Sequence, residues 1–339
     1  VYLNELQARG FNLTRVFSGA YRELPGSFGI EENPLAPAPG RFLCPWARSG
    51  APGASDGGNK FDLQKWDAAY FARLKDFLAA AGRRGVVAEF VFFCTFYSED
   101  LWQVSPMNAR NNINGVGRVG RHEVYAAGDK ELQAVQESMV RRIVTELKYV
   151  PNLYYEICNE PYERPGLTRE WTDRIAAVIA ETEAAFPNRH LIAQGIDRSS
   201  PKITDFNPRV SVFNFHAATP ECVLTNSGLD RVLADDETGG KGVADYPYRR
   251  EGWAFLLAGG GVFDHLDFSF TCARPDGTHK LTSEPGGGGP ALRRQIQVLK
   301  EFLESFEFTR MKPDAGVIRG LRRMAPDATR QPLRGHALV

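Results

Sequence analysis

The chain has 339 residues, 43% hydrophobic and 24% charged, with 41 Lys+Arg against 41 Asp+Glu and a formal net charge of zero. That length suits one large α/β domain, and the balanced charge argues against nucleic acid or an anionic membrane as the main partner. No run of about 18 apolar residues predicts a membrane-spanning helix, and Cys44, Cys94, Cys158, Cys222 and Cys272 are too dispersed for a disulfide scaffold or a zinc ribbon.

The chain opens on VYLNELQARG, which reads as a helix, and Gly10 turns it into a first strand, FNLTRVFSG (11–19). Residues 19–60 form a long Pro- and Gly-rich loop. Leu63, Trp66, Tyr70, Leu74, Phe77 and Leu78 then recur at helical spacing, with Gly82 as the stop. The strand VVAEFVFFCTFY (86–97) follows, then a second long loop, 98–128, and a helix over 132–147 carrying Leu132, Val135, Met139, Ile143 and Leu147 on one face. After the strand NLYYEICNE (152–160) comes a helix over 171–186 (Trp171, Ile175, Val178, Ile179, Phe186). HLIAQG (190–195), VSVFNFH (210–216), RVLADDE (231–237) and GVFDHLDFSFT (261–271) read as further strands, and Leu292, Ile296, Leu299, Phe302 and Leu303 mark a late helix.

Seven short apolar strands alternating with amphipathic helices point to a parallel sheet covered on both faces. The expected fold is α/β, a (β/α)8 TIM barrel lacking its first strand through loss of an N-terminal segment; an open doubly wound sheet is the alternative. The barrel is expected over 1–312. Residues 313–339 are read as a basic tail (Arg319, Arg322, Arg323, Arg330, Arg334) or the cut start of a C-terminal β domain. Both long loops follow strands, which puts them on the face where barrels carry their sites.

Two carboxylates stand at strand ends. NLYYEIC runs into Asn159-Glu160-Pro161, and VLADDE ends on Glu237 before Gly239-Gly240. A carboxylate is costly to bury unpaired, and two that converge from separate strands suit glycosidic bond cleavage, where one protonates the departing oxygen and the other attacks the anomeric carbon or activates water. Asp235, Asp236 and Glu284 are the other carboxylates weighed for the nucleophile; strand alternation turns one of the Asp pair outward. Tyr97, Trp102, Trp46 and Tyr21 are candidate sugar-stacking aromatics, and Asn111 and Asn112 candidate amides for hydroxyl groups. GVGRVG (115–120) follows a polar stretch rather than a buried strand, which discounts a dinucleotide site; GGKG lacks the Ser or Thr of a P-loop, and no G-x-S-x-G occurs. The six His residues form no H-x-H or H-E-x-x-H, so no metal and no cofactor is expected.

YYEICNEPY resembles the acid/base motif of clan-A glycoside hydrolases, the cellulase-like family 5 and its relatives. GNKFDLQKWDAAYFARLKDFLAAAGRRGV and FLESFEFTRMKPD are similar to uncharacterised barrels of the apiosidase-related group. The resemblance covers most of residues 1–312 and implies a (β/α)8 barrel whose Asn-Glu closes strand four and whose nucleophile closes strand seven. It implies Glu160 as general acid/base, Glu237 as nucleophile, Asn159 as a ligand of the hydroxyl beside the anomeric carbon, Arg15 as the guanidinium that keeps the nucleophile ionised, and His216 as the strand-six imidazole. The chain departs from the pattern in three places: His216-Ala217-Ala218 replaces His-x-Tyr, DFSFT replaces the strand-eight Trp, and CTFY stands where strand three ends in His. The expected function is a retaining glycoside hydrolase with a carbohydrate substrate. The alternatives are a non-catalytic carbohydrate-binding barrel or degenerate hydrolase, and a metal-dependent barrel hydrolase, which the His count disfavours. Compartment and oligomeric state stay open; secretion or a periplasmic location is compatible with the sequence.

Overall fold

In the computed structural model, residues 1–161, 167–197 and 202–314 are described. In chain order the elements are α1 (Tyr2–Ala8), β1 (Leu13–Phe17), β2 (Trp46–Pro52), β3 (Asn59–Trp66), α2 (Ala68–Gly82), β4 (Val87–Cys94), α3 (Glu99–Gln103), α4 (Lys130–Leu147), β5 (Leu153–Asn159), α5 (Arg169–Glu183), β6 (Ile192–Gly195), β7 (Val212–His216), α6 (Pro220–Asn226), β8 (Val232–Thr238), α7 (Asp245–Leu257), β9 (Val262–His265) and α8 (Pro290–Glu304).

Seven strands pair in the order β1-β4-β5-β6-β7-β8-β9, every neighbour parallel. β5 is buried along its whole length and β4 everywhere but Val87, because helices cover the outer face and side chains fill the inner one. The sheet curls far enough for Arg15 on β1 to reach Glu237 on β8 at 2.8 Å. This is a (β/α)8 barrel with seven strands, in which β1 and β9 each pair on one side only among the described residues. The strand expected over 261–271 ends early, at His265.

The helices start where the sequence supplies caps. The side chains of Asp67, Ser98, Asp129 and Thr168 accept from backbone N–H groups in the first turns of α2, α3, α4 and α5, and Pro opens α6 and α8. α2 ends at Gly82 as expected. Leu63 and Trp66 belong to β3 instead of this helix: Pro and Gly upstream form only the loop's first part, and β2 and β3 close an irregular antiparallel hairpin that buries Trp46, Phe61 and Leu63. A bridge between Phe61 and Asn112 fastens the second long loop to it. The short α3 and α6, and α7 with its weak apolar face, were not anticipated from the sequence. Of the predicted tail, 315–339 lie outside the described residues.

Gly260 lies in the turn before β9, and a Cβ there would stand 2.2 Å from Cε1 of the fully buried Phe255. Gly260→Ala is expected to cost about 1–3 kcal/mol, read as a lower urea midpoint at unchanged m-value.

Candidate active site

Arg15 rises from β1 into the barrel interior and meets carboxylates from three other strands. Its Nη1 donates to Glu237 Oε2 at 2.8 Å, and its Nη2 to Glu156 Oε2 at 2.5 Å and Asn159 Oδ1 at 2.8 Å. Glu89 Oε2 and Asp236 Oδ2 both lie 3.4 Å from the guanidinium. The negative charges around Arg15 raise its pKa in spite of its burial. Asn214 on β7 donates to Glu89 at 2.6 Å.

One cation cannot offset this many buried acids, and two of them, Glu89 and Asp236, are pushed toward their protonated forms. Burial, followed by the charges of Asp236 and Glu156, raises Glu89 well above the carboxylate range. Burial pushes Asp236 up to about 7 against the pull of Arg15 and His216. His216 is the second cation: burial opposes its charge, but Glu237, Asp236 and the hydrogen bond to Glu160 lift it to about 10.

Glu160 and Glu237 face one another across His216. Nδ1 of His216 lies 2.9 Å from Glu160 Oε1 and 3.9 Å from Glu237 Oε1, with Nε2 3.6 Å from Asp236. One oxygen of each Glu and a His216 nitrogen all lie within 4.8 Å of one another. Of the five carboxylates here, only these two reach solvent: their side chains are 20% and 27% exposed, against 0% for Glu89, Glu156 and Asp236. The Tyr97 hydroxyl donates to Glu160 Oε2. Burial raises the Glu160 pKa, but His216, Tyr97 and Arg15 outweigh it and hold the carboxyl below its ordinary range. The proton of the Glu160–His216 pair therefore rests on the imidazole.

Backbone irregularities aim both carboxylates. Glu160 has φ 48° and Ala217 φ 52°, a left-handed conformation that costs energy in any residue with a Cβ and gathers at functional sites. Thr95 holds the Glu160 carbonyl at 2.7 Å, Ala217 N–H donates to the Glu237 carbonyl at 3.0 Å, and Gly195 leaves room for Pro161, whose Cδ would stand 2.7 Å from a Cβ. Between β7 and β8 the register slips: Phe215 pairs with Asp235, but His216 pairs with Glu237. This bulge lets the adjacent Asp236 and Glu237 both face Arg15, while Asp235 accepts from Ala218 N–H at 3.1 Å.

The structure gathers Arg15, Tyr97, Asn159, Glu160, His216 and Glu237. Asn159 lies beneath the pair, its Nδ2 donating to Tyr97 at 3.1 Å. It does not bring Trp102, Asn111 or Asn112 there. Trp102 is fully buried, its Nε1 donating to Val119 O at 2.7 Å. Asn111 donates to the carbonyls of Gln103 and Ser105 and accepts from Ser55. Asn112 ties Pro106, Asn108 and Val116 together. All three hold the long loop in shape. Trp46 is likewise buried, and Glu284 is bound to His279 and to the Thr282 and Ser283 amides.

Sequence reasoning missed Glu89, Glu156 and Asn214, although a lone acid inside VVAEFVFF or LYYEIC is itself a signal of a buried partner. It also missed Glu23, which is buried and held by Tyr21 and by Asn33; burial raises its pKa and Glu237 adds to the effect. Among the described residues, three sets of ligand atoms are spaced to hold a metal ion: Glu160/His216/Glu237, Glu89/Glu156/Asp236 and Glu31/His279/Glu284. In the first two, Arg15 and the imidazolium already supply positive charge.

No protein-family model and no curated protein matches this chain. Solved structures do. A candidate glycoside hydrolase from Bacteroides vulgatus superposes with TM-score 0.63 at 15% identity, over 94% of this chain and 56% of its own. An endo-β-1,4-mannanase from Thermotoga petrophila gives TM-score 0.57 at 13% identity, over 92% and 75%. A family 5 mannosidase from Rhizomucor miehei gives 0.54 at 13%, over 89% and 88%. The chain has the barrel fold of family 5, clan-A glycoside hydrolases. It spans about half the length of the first of these neighbours. No described helix is long and apolar enough to cross a membrane.

Folded Asp236 binds its proton more tightly than the unfolded chain does, so its contribution to stability falls as pH rises from its ordinary value of 3.8 to about 7. Asp236→Asn is expected to remove that share of the slope, measured as urea midpoints across this window. Asn112→Ala strips partners from buried carbonyls and is expected to cost about 1–3 kcal/mol while leaving the titration of the Glu160–His216 pair, followed by NMR, in place.

Proposed function

We propose that the chain is a retaining glycoside hydrolase that cleaves β-linked oligo- or polysaccharides by double displacement. The carrying observation is the pair of solvent-reaching carboxylates with oxygens within 4.8 Å; retaining enzymes hold the two carboxyl groups about 5–5.5 Å apart, and inverting ones wider to admit a water. The barrel fold shared with a family 5 mannosidase and with an endo-β-1,4-mannanase supports a β-linked glycan as substrate.

Glu237 is the nucleophile. Arg15 binds its Oε2 at 2.8 Å, which fixes the carboxyl group and leaves Oε1 for the anomeric carbon. As that bond forms, the glycosidic bond breaks and the departing oxygen takes a proton from Glu160. In the resting site this proton lies on His216, 2.9 Å away. A sugar that expels water from around Glu160 weakens the stabilisation of its charge and draws the proton across. In the second step water attacks the anomeric carbon, Glu160 accepts its proton, and Glu237 leaves as a carboxylate. Glu160 is then already ionised, having given its proton to the departing oxygen, and the proton it takes from water restores the starting charge of the Glu160–His216 pair. Tyr97 fixes the acid/base by its hydrogen bond to Glu160, and Asn159 fixes Tyr97 in turn.

Glu237→Ala is expected to lower kcat/KM on an activated aryl β-glycoside by about 10⁴-fold or more, with azide restoring turnover as the α-glycosyl azide. Glu160→Ala is expected to lose about 10²–10⁴-fold on substrates with poor leaving groups and far less on activated ones, with azide giving the β-product. Azide rescue of Glu284→Ala alone would overturn the assignment. Turnover abolished by chelator would overturn the metal-free mechanism.

A further inference from the structure

The loop between β1 and β2 carries an aromatic side chain in a place that folding does not explain. Phe28 lies in a single 3₁₀ turn, Ser27–Gly29, with φ 57° and ψ 16°. Its flanking residues Gly26 and Gly29 also have positive φ, 82° and 68°, where glycine is free of strain. A bulky residue in this conformation is an outlier that costs energy. Core burial does not offset that cost, because Phe28 is 49% exposed. The turn is nonetheless well held: Leu24 N–H donates to Ser27 Oγ at 3.2 Å, and Ile30 N–H to the Ser27 carbonyl at 3.2 Å. The loop is fastened to the segment after β9, where Thr271 Oγ1 donates to Glu32 at 2.8 Å and Cys272 N–H to the Glu32 carbonyl at 3.2 Å.

The ring is placed next to the chemistry. It meets Tyr97 edge to face, with centroids 5.1 Å apart and an interplanar angle of 84°, and Tyr97 is the residue that donates to Glu160. Strain concentrated in an exposed aromatic beside a catalytic carboxylate points to a ligand that supplies the missing contact. At a carbohydrate site, that ligand is the C–H face of a sugar ring, which aromatic faces stack upon.

We infer that Phe28 is a stacking platform for a pyranose ring adjoining the sugar whose bond is cut, and that the substrate is therefore an oligo- or polysaccharide of at least two rings rather than a simple glycoside. This rests on the glycosidase reading above. The half-exposed position assigns the platform to the rim of the cleft; the sugar under attack sits deeper, against Arg15 and Glu237.

The test compares the intact protein with Phe28→Ala, Phe28→Gly and Phe28→Trp. The probes are cellotetraose, mannotetraose and the matching 4-nitrophenyl β-glycosides of single hexoses. For both small variants, the ratio of kcat/KM on tetrasaccharide to kcat/KM on aryl glycoside is expected to fall about tenfold, mainly through KM, and Trp to restore it. Phe28→Gly, which relieves the strain, is expected to melt no lower than the parent. An unchanged ratio in an active enzyme overturns the platform alone, as does a lower melting temperature with equal loss on both substrate types, which would mark a loop anchor. Tetrasaccharide binding without turnover, weakened in Phe28→Ala by calorimetry, keeps the platform and overturns the glycosidase reading. Neither binding nor turnover by the parent protein overturns both.

Discussion

Arg15 is the charge around which the interior of this barrel is arranged. Barrel cores are usually packed with branched apolar side chains; here the guanidinium lies within 3.4 Å of four carboxylates and hydrogen-bonds to an amide as well. Such a cluster cannot hold all its charges in a dry interior. The structure resolves the conflict by gradation. Glu237 and Glu160, at the open end, keep their carboxylates in reach of solvent. Asp236 and Glu89, below them, are driven toward their neutral forms. Removing the guanidinium would leave acids without a counter-ion at the floor of the site, so fold stability and site chemistry rest on the same side chain.

The imidazole of His216 extends this arrangement upward. It touches Glu160 on one side and approaches Asp236 on the other, so the two deepest questions about the site, where its proton sits and how its acids share charge, meet in one ring. Left-handed backbone at Glu160 and Ala217 helps fix the aim of both carboxylates. The strands carry these carboxylates, and the long loops that follow strands are held in shape by Asn111, Asn112 and Glu32.

Much of this was legible in the sequence, for identifiable reasons. β4 and β5 announce themselves because strands buried on both faces must be apolar throughout, and the helices of 132–147 and 171–186 because one face must be apolar. Glu160 could be found because a carboxylate stands at the end of such a strand. The hairpin of β2 and β3 could not, since its register is irregular and its surroundings are rich in Pro and Gly. Asn111, Asn112 and Trp102 misled for a physical reason: the amide and indole groups that would read a sugar are the same ones that satisfy the backbone of a long loop from within. Glu89 and Glu156 were visible only as anomalies, acids in apolar strands whose partner lies 74 and 141 positions away along the chain.

The slip in register between β7 and β8 has a consequence for how the site is encoded. In a regular strand, neighbours point to opposite faces, so Asp236 and Glu237 could not both look inward. The extra residue opposite His216 gives the barrel an acid for the floor and an acid for the mouth from consecutive codons. The chemistry of this strand is thus written in a count of residues as much as in their identity. Losing one residue of Ala234-Asp235-Asp236 would restore a regular ladder and turn a carboxylate out of the cleft with Arg15, Glu160, His216 and Glu237 all still present in the sequence. A homologue that keeps each of these residues but differs in length here would carry a different carboxylate arrangement, a divergence that comparison by identity alone passes over.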